Sequence, residues 1–173
     1  MAAIINSLRT FGRAASAEKE TVSTNSVVSS ALQFIKEPLR LSNIELSLNL
    51  SSLNPLVEGN HIQLEQVFLN LLSNAKDAVN GMPSPKINVA TWVEEGTTRV
   101  SIEDNGIGIP PDVLPKIFDP FFTTKAVGQG TGLGLSIVYG IVREHRGKIL
   151  AENIREGGAR FLVVLESLQP SRN

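Results

Sequence analysis

The chain contains no cysteine, one tryptophan and one tyrosine, and sixteen Lys and Arg stand against seventeen Asp and Glu. Without cysteine there can be no disulfide framework, no thiolate metal site and no cysteine nucleophile. The balanced charge removes the basic excess that nucleic-acid binders carry, so nucleic acid is not an expected partner. Long apolar runs are missing as well. Every hydrophobic stretch is short and broken by polar residues, so neither a membrane span nor a secretory signal is read, and a soluble, cytoplasmic chain without membrane contact is expected.

What is present suffices for a core. Hydrophobic residues make up 42% of 173 positions and charged residues 19%, in line with one domain, or one domain carrying an attached segment. Glycine is unevenly spread: Gly106, Gly108, Gly128, Gly130, Gly132 and Gly134 fall in one window out of fourteen glycines in all. Clustered glycine raises the entropy cost of folding, and close approach of backbone to a ligand is one reason to accept it. Three of the seven phenylalanines, Phe118, Phe121 and Phe122, share that window.

The apolar periodicity predicts a first helix over 3–17, with Ile4, Ile5, Leu8 and Phe11 on one face. A Ser/Thr-rich linker with several potential N-caps follows, then a helix bearing Val27, Val28, Ala31, Leu32 and Ile35. Strict alternation over 44–50 (IELSLNL) predicts a half-buried strand. A long helix is expected over 60–79, and strands over 86–93 and 98–103 joined by a turn containing Gly96. Residues 104–131 read as a Gly/Pro-rich loop with a short helix at 112–117. A helix over 132–145 and strands over 147–153 and 160–165 complete the pattern. Helices alternating with strand pairs predict a two-layer α/β (α+β) sandwich rather than a parallel βαβ array.

Three segments carry chemistry. In the helix 60–79, Leu64, Val67, Phe68, Leu71, Leu72, Ala75, Ala78 and Val79 form an apolar face, and Asn70, Asn74 and Asp77 line one edge of it. Asparagine competes with helix hydrogen bonds, and its amide oxygen is a hard neutral ligand suited to Mg²⁺. Taken alone, the pair also fits two solvated residues beside a core stripe. In 100–110 (VSIEDNGIGIP), Val100, Ile102 and Asp104 share a strand face, so a carboxylate ends an apolar row. It could accept from an exocyclic amine while Gly106 and Gly108 let the backbone pass a flat ring; an ordinary Asp-Asn-Gly turn is the alternative. In 128–138 (GQGTGLGLSIV), alternate glycines open into a helix whose N-terminal N–H groups suit an anion. Neither G-x-x-x-x-G-K-[ST] nor G-x-G-x-x-G occurs there.

NLLSNAKDA, DNGIGIPPD, FDPFFTTK and GTGLGLSIV, in that order, resemble the catalytic ATP-binding domain of bacterial sensor histidine kinases, within the wider gyrase, heat-shock-ninety, histidine-kinase and mismatch-repair ATPase superfamily. The resemblance covers roughly 24–166. It implies a Bergerat-type fold: a mixed, mostly antiparallel sheet, helices on one face, and an ATP lid between the layers. It implies ATP and Mg²⁺ as cofactors. Asn74 matches the Mg²⁺-binding asparagine, with Asn70 its partner one turn earlier, and Asp104 matches the aspartate that binds the adenine amine. Gly106, Gly108 and Ile109 would line the base. Phe118 and Phe121 would anchor the lid, and Lys125 could reach the phosphates from it. Gly130, Thr131, Gly132, Leu133 and Gly134 would form the phosphate-contacting box. Gly157 and Gly158 before Phe161 resemble the family's final glycine turn.

Two departures stand out. Asp77 falls at a phosphate-proximal position where many members carry a basic or neutral residue, and Lys76 faces elsewhere. His61 and His145 lack the acidic neighbour of a phosphoacceptor and read as surface or helix-end residues. The acceptor histidine is therefore expected on a hairpin absent from this chain, in the same parent protein or in a separate one. IINSLRTFGR resembles the end of that hairpin's second helix. The organisation expected is 1–20 as hairpin remnant, 21–168 as catalytic domain and 169–173 as tail, with a response regulator downstream and a monomer or weak homodimer in solution. The alternatives are an ATP-binding interaction module without transferase activity, or a superfamily ATPase. ATPases of this superfamily carry a glutamate where Asn70 stands, and Asn70 cannot act as a general base.

Overall fold

The computed structural model describes residues 18–124 and 131–168. Ser23 begins the first helix: its hydroxyl accepts the Ser26 N–H at 3.1 Å and satisfies one free donor of the opening turn. Helix α1 (Thr24–Leu41) follows and buries Val27, Val28, Ala31, Leu32, Ile35 and Leu39. Pro38 lies inside its last turn, where the missing N–H costs one helical bond near an end. Asn60 caps helix α2 (His61–Ala78) in the same manner, accepting from the Gln63 N–H at 3.1 Å. The apolar face expected for this helix is the buried one, from Leu64 and Val67 through Phe68, Leu71 and Leu72 to Ala75.

Strands β2 (Glu45–Asn49), β4 (Lys86–Glu94), β5 (Thr97–Asp104), β6 (Lys148–Asn153) and β7 (Ala159–Glu166) form one sheet. Its order is β2-β4-β5-β7-β6, with β2 parallel to β4 and every other pair antiparallel. The β4–β5 hairpin turns through Glu95 and Gly96, both at positive φ (50° and 73°), as a two-residue turn of matching twist requires. Alternation then sorts the side chains. Ile87, Val89, Val100, Ile102, Phe161 and Val163 are buried, while Glu103, Arg160 and Glu152 pair across β5, β7 and β6 on the other face. Helix α2 packs between α1 and helix α3 (Gly134–Glu144) and against β5, so the helices make the second layer.

Two strands were not expected from the sequence. Strand β1 (Glu20–Ser23), read there as linker, pairs antiparallel with β3 (Leu56–Gly59), and its Val22 and the opposing Val57 are both buried. Four-residue strands hold too few alternations to announce themselves; the pairing exists because the two valines meet over the core. The short helix at 112–117 is a single 3₁₀ turn, Leu114–Lys116.

Candidate functional site

Strand β5 delivers Asp104 to the end of its apolar row, where the residue is only 5% exposed. Its Oδ1 accepts from the Gly106 N–H at 2.9 Å and from the Ala159 N–H at 3.4 Å. Burial holds the carboxyl above its ordinary range, against the lowering effect of those two N–H donors. The backbone after Asp104 turns at once. Gly106 lies against the last turn of α2, where a Cβ would sit 2.3 Å from the Ala78 carbonyl oxygen, so only glycine fits. The Ile107 N–H donates to that same oxygen at 3.3 Å, which ties the loop to α2, while the Ile107 side chain is 83% exposed. Gly158 closes the other side: a Cβ there would lie 1.9 Å from the Asp104 carbonyl oxygen.

Asn70, Asn74 and Asp77 lie on α2, the helix whose last turn holds this loop, the asparagines half-buried and Asp77 exposed. Lys76 pairs with Asp77 at 3.6 Å. The N-terminus of α3 approaches the same edge, since a Cβ on Gly134 would stand 3.9 Å from the Asn70 side-chain oxygen. The opening turn of α3 thus comes close to a neutral amide oxygen. Thr131 and Leu133 precede it, the Leu133 N–H donating to the Thr131 hydroxyl at 3.3 Å. Gly132 has φ 64° and packs on the Phe121 backbone, where a Cβ would come within 2.5 Å.

The two phenylalanines divide. Phe118 packs on Tyr139 of α3 with ring centroids 5.7 Å apart, whereas the Phe121 ring is 75% exposed and only its backbone touches Gly132. Lys125, Gly128 and Gly130, expected in the lid and phosphate box, lie outside the described residues. Among the described residues no group of three or more His, Asp or Glu is placed to hold a metal ion. A cavity of about 490 Å³ between the turns after α1 and α2, lined by Asn43, Lys76 and Met82 among others, touches neither Asp104 nor Asn74.

The sequence reading missed two residues that build the loop, Asn105 and Asn153, and it misplaced a third, His145. Asn105 ties the loop to the start of β4, accepting from the Lys86 N–H at 2.7 Å and donating to the Ser84 carbonyl at 2.8 Å. Asn153 ends β6, and its amide engages both backbone groups of Ile109 at 2.7 Å. His145, expected at a surface or helix end, does terminate α3 but is buried, at 6% exposure. Its Nε2 accepts from the Asn60 N–H at 3.0 Å and its Nδ1 donates to the Ile141 carbonyl at 2.7 Å. Burial first, and the nearby Lys19 charge, hold it below its ordinary value against the opposing pull of Ile141 and Glu144. His61 starts α2 and lies 3.8 Å from Glu65. The partners that fix Asn105, Asn153 and His145, namely Lys86, Ile109 and Asn60, lie 19, 44 and 85 positions away.

Known proteins resemble this chain in sequence and in fold. The sequence model for "Histidine kinase-, DNA gyrase B-, and HSP90-like ATPase" matches residues 59–169. The two-component sensor PprA of Pseudomonas aeruginosa is 38% identical over 173 residues, covering 97% of this chain and 19% of PprA. The signal transduction histidine-protein kinase AtoS of Escherichia coli is 34% identical over 163 residues, covering 94% of this chain and 26% of AtoS. This chain therefore spans about a quarter or less of either relative. The catalytic domain of histidine kinase ThkA superposes with a TM-score of 0.77 at 34% identity, covering 86% of this chain and 97% of that one. The same kinase solved in complex with the response regulator protein TrrA gives a TM-score of 0.74 at 30% identity, over 90% of this chain and 43% of that one. A buried carboxylate ending β5, a loop closed by Gly106 where no side chain fits, and Asn70 beside the start of α3 are thus found in a chain that belongs to the histidine kinase-, gyrase- and HSP90-like ATPase family, as an ATP-binding catalytic domain of the sensor histidine kinase kind.

Proposed function

We propose that this domain transfers the γ-phosphoryl group of ATP to a histidine on a phosphoacceptor hairpin outside the chain, and that a response regulator then receives it. The observation that carries the reading is the buried Asp104 carboxylate held by the Gly106 N–H, in a loop tied to the last turn of α2, the helix that bears Asn70 and Asn74. Asp104 accepts the adenine amine, and the loop passes the ring without side chains at Gly106 and Gly108. The α3 N-terminus, with Gly132 and Gly134, meets the phosphates. Lys125 and Gly130 are assigned to the phosphate side on the family motif alone.

Magnesium fits the donors present. Asn74 and Asn70 offer neutral amide oxygens, and no carboxylate cluster among the described residues would hold the ion by itself. Asn74 would be the protein residue that holds the ion. Bound there, Mg²⁺ neutralises charge on the transferring phosphoryl group. The chain's own contribution is positioning: Asp104 fixes the base, and α3 fixes the phosphates for in-line attack by an imidazole nitrogen. Asn70 cannot take a proton from water, so hydrolysis is expected to be slow beside transfer. Cytoplasmic placement follows from the ATP requirement, and among the described residues no helix is long and apolar enough to cross a membrane.

Radiolabelled ATP supplied with a separately produced phosphoacceptor hairpin tests the proposal. Label on the hairpin histidine supports it. Phosphate released without transfer selects the ATPase reading, and binding with neither outcome selects a passive module.

A further inference from the structure

We infer that Asn153 is a positioning residue for the nucleotide, holding the base-lining loop at a set distance from Asp104. The inference rests on the reading that Asp104 and the 106–109 loop hold the base. That loop has no helix or strand of its own, and Gly108 in it sits at φ 72°. Its start is fixed by the Gly106 N–H on Asp104 and the Ile107 N–H on Ala78. Its end is fixed by Asn153, whose Oδ1 accepts the Ile109 N–H and whose Nδ2 donates to the Ile109 carbonyl, each at 2.7 Å. An amide that uses both of its ends on one residue's backbone sets orientation as well as distance.

The register makes this clamp more than a loop tether. Asn153 is the last residue of β6 and stands opposite Ala159, the first residue of β7. Ala159 is the residue whose N–H reaches Asp104 Oδ1. The tight 154–158 turn, closed by Ile154 N–H to Gly158 carbonyl and Gly157 N–H to Ile154 carbonyl at 3.0 Å each, joins the two. One hairpin end therefore holds the carboxylate with a β7 amide and the ring-facing loop with a β6 side chain. The Asn153 side-chain oxygen also lies 3.0 Å from where a Cβ on Gly108 would be, so the clamp and the glycine share one space. Loosening Asn153 should let the loop drift relative to Asp104. It would cost affinity for the matching base more than for a mismatched one.

The experiment is calorimetric titration of Asn153→Ala and Asn153→Asp with ATP and with GTP, alongside Asp104→Ala. The expected result for Asn153→Ala is a loss of ATP affinity of about three- to tenfold, the scale of one or two partly solvated hydrogen bonds, together with a narrower ATP-over-GTP preference. Asn153→Asp keeps the acceptor for Ile109 and lacks the donor, so it should fall between parent and alanine variant. It carries the test if the alanine variant does not fold. A weakened fold would lower both affinities by the same factor; that outcome, or unchanged ATP affinity, overturns the inference. If Asp104→Ala also binds ATP as the parent does, the pocket reading itself fails; if only the Asn153 variants are silent, the pocket stands and the clamp does not.

Discussion

A carboxylate as enclosed as Asp104 loses most of its hydration, and two N–H donors on Oδ1 restore only part of it. Its folded-state value is raised above the ordinary one near 3.9. Its contribution to stability is accordingly present below that value and lost as pH rises through the raised one. Asp104→Asn should then be at least as stable as the parent at neutral pH by urea denaturation, and less stable if burial of the charge costs nothing. Nucleotide binding should move the opposite way, because only the ionised form accepts from the amine without donating back. Asp104→Ala should weaken ATP by about ten- to hundredfold, as loss of a charge-assisted hydrogen bond of roughly 1.5–3 kcal/mol implies, and parental affinity in calorimetry would remove Asp104 from the pocket. Asn74→Ala should reduce Mg²⁺-dependent binding more than metal-free binding, and equal losses in both would exclude a ligand role. These residues were legible in the sequence because each is tied to a local pattern: a strand ending in a carboxylate, or two asparagines one helical turn apart. Asn153 and His145 were not, since their partners lie 44 and 85 positions away.

Among the elements, α3 joins the nucleotide edge to the far side of the fold. Gly134 begins it beside Asn70, and His145 ends it against the Asn60 N–H that opens α2. Lys19 adds a bond from the entering chain to the Glu144 carbonyl at 2.6 Å, and Gln63 another to the Glu144 carboxylate at 3.2 Å. The imidazole can do this only when neutral, because protonation would turn Nε2 from acceptor to donor toward an N–H. With its folded value depressed, His145 adds stability that is present above the ordinary value of about 6.5 and is lost as pH falls through the lower folded value. His145→Leu should cost about 1–3 kcal/mol, the penalty for a buried donor left unpaired, and should flatten the stability profile below neutral pH. A parental profile in urea titrations across that range would show that the histidine does not titrate with folding. Helices α1 and α2 were readable from their apolar periodicity. Strands β1 and β3 were not, because each is a strand through its pairing with a distant segment, β1 with β3, and β3 also with Leu168.

For the whole domain, ligand binding and folding would be linked, since the proposed pocket needs β5, β7, α2 and α3 in place at once. Any ligand that binds only the folded chain stabilises it by RT ln(1 + [L]/Kd), about 2.7 kcal/mol at a hundred times Kd. For a chain of this size that corresponds to a rise in melting temperature of roughly 5–11 °C. Scanning calorimetry with saturating Mg-ATP should show such a rise in the parent and little of it in Asp104→Ala. An equal rise in both would place the nucleotide elsewhere, with the cavity beside Asn43, Lys76 and Met82 as the next place to look.

The sequence by itself determined the class of fold and the family of the domain, and it named the residues proposed for the site. Helical and alternating periods report which face of each element is buried, and the order of asparagine, aspartate-glycine and glycine-helix segments points to the groups proposed to meet a nucleotide. Only the tertiary structure decided how those groups are held. It made Glu20–Ser23 a strand by bringing Val22 onto Val57. It placed Gly158 against the Asp104 carbonyl, where no side chain fits. It buried His145 as a fixed acceptor for Asn60 and set Asn153 over Ile109. The physical reason is range. Periodicity and capping act within a few residues and leave a trace in the local sequence, whereas a polar side chain is committed by whichever backbone group packing brings within about 3 Å of it, and that neighbour comes from a distant part of the chain.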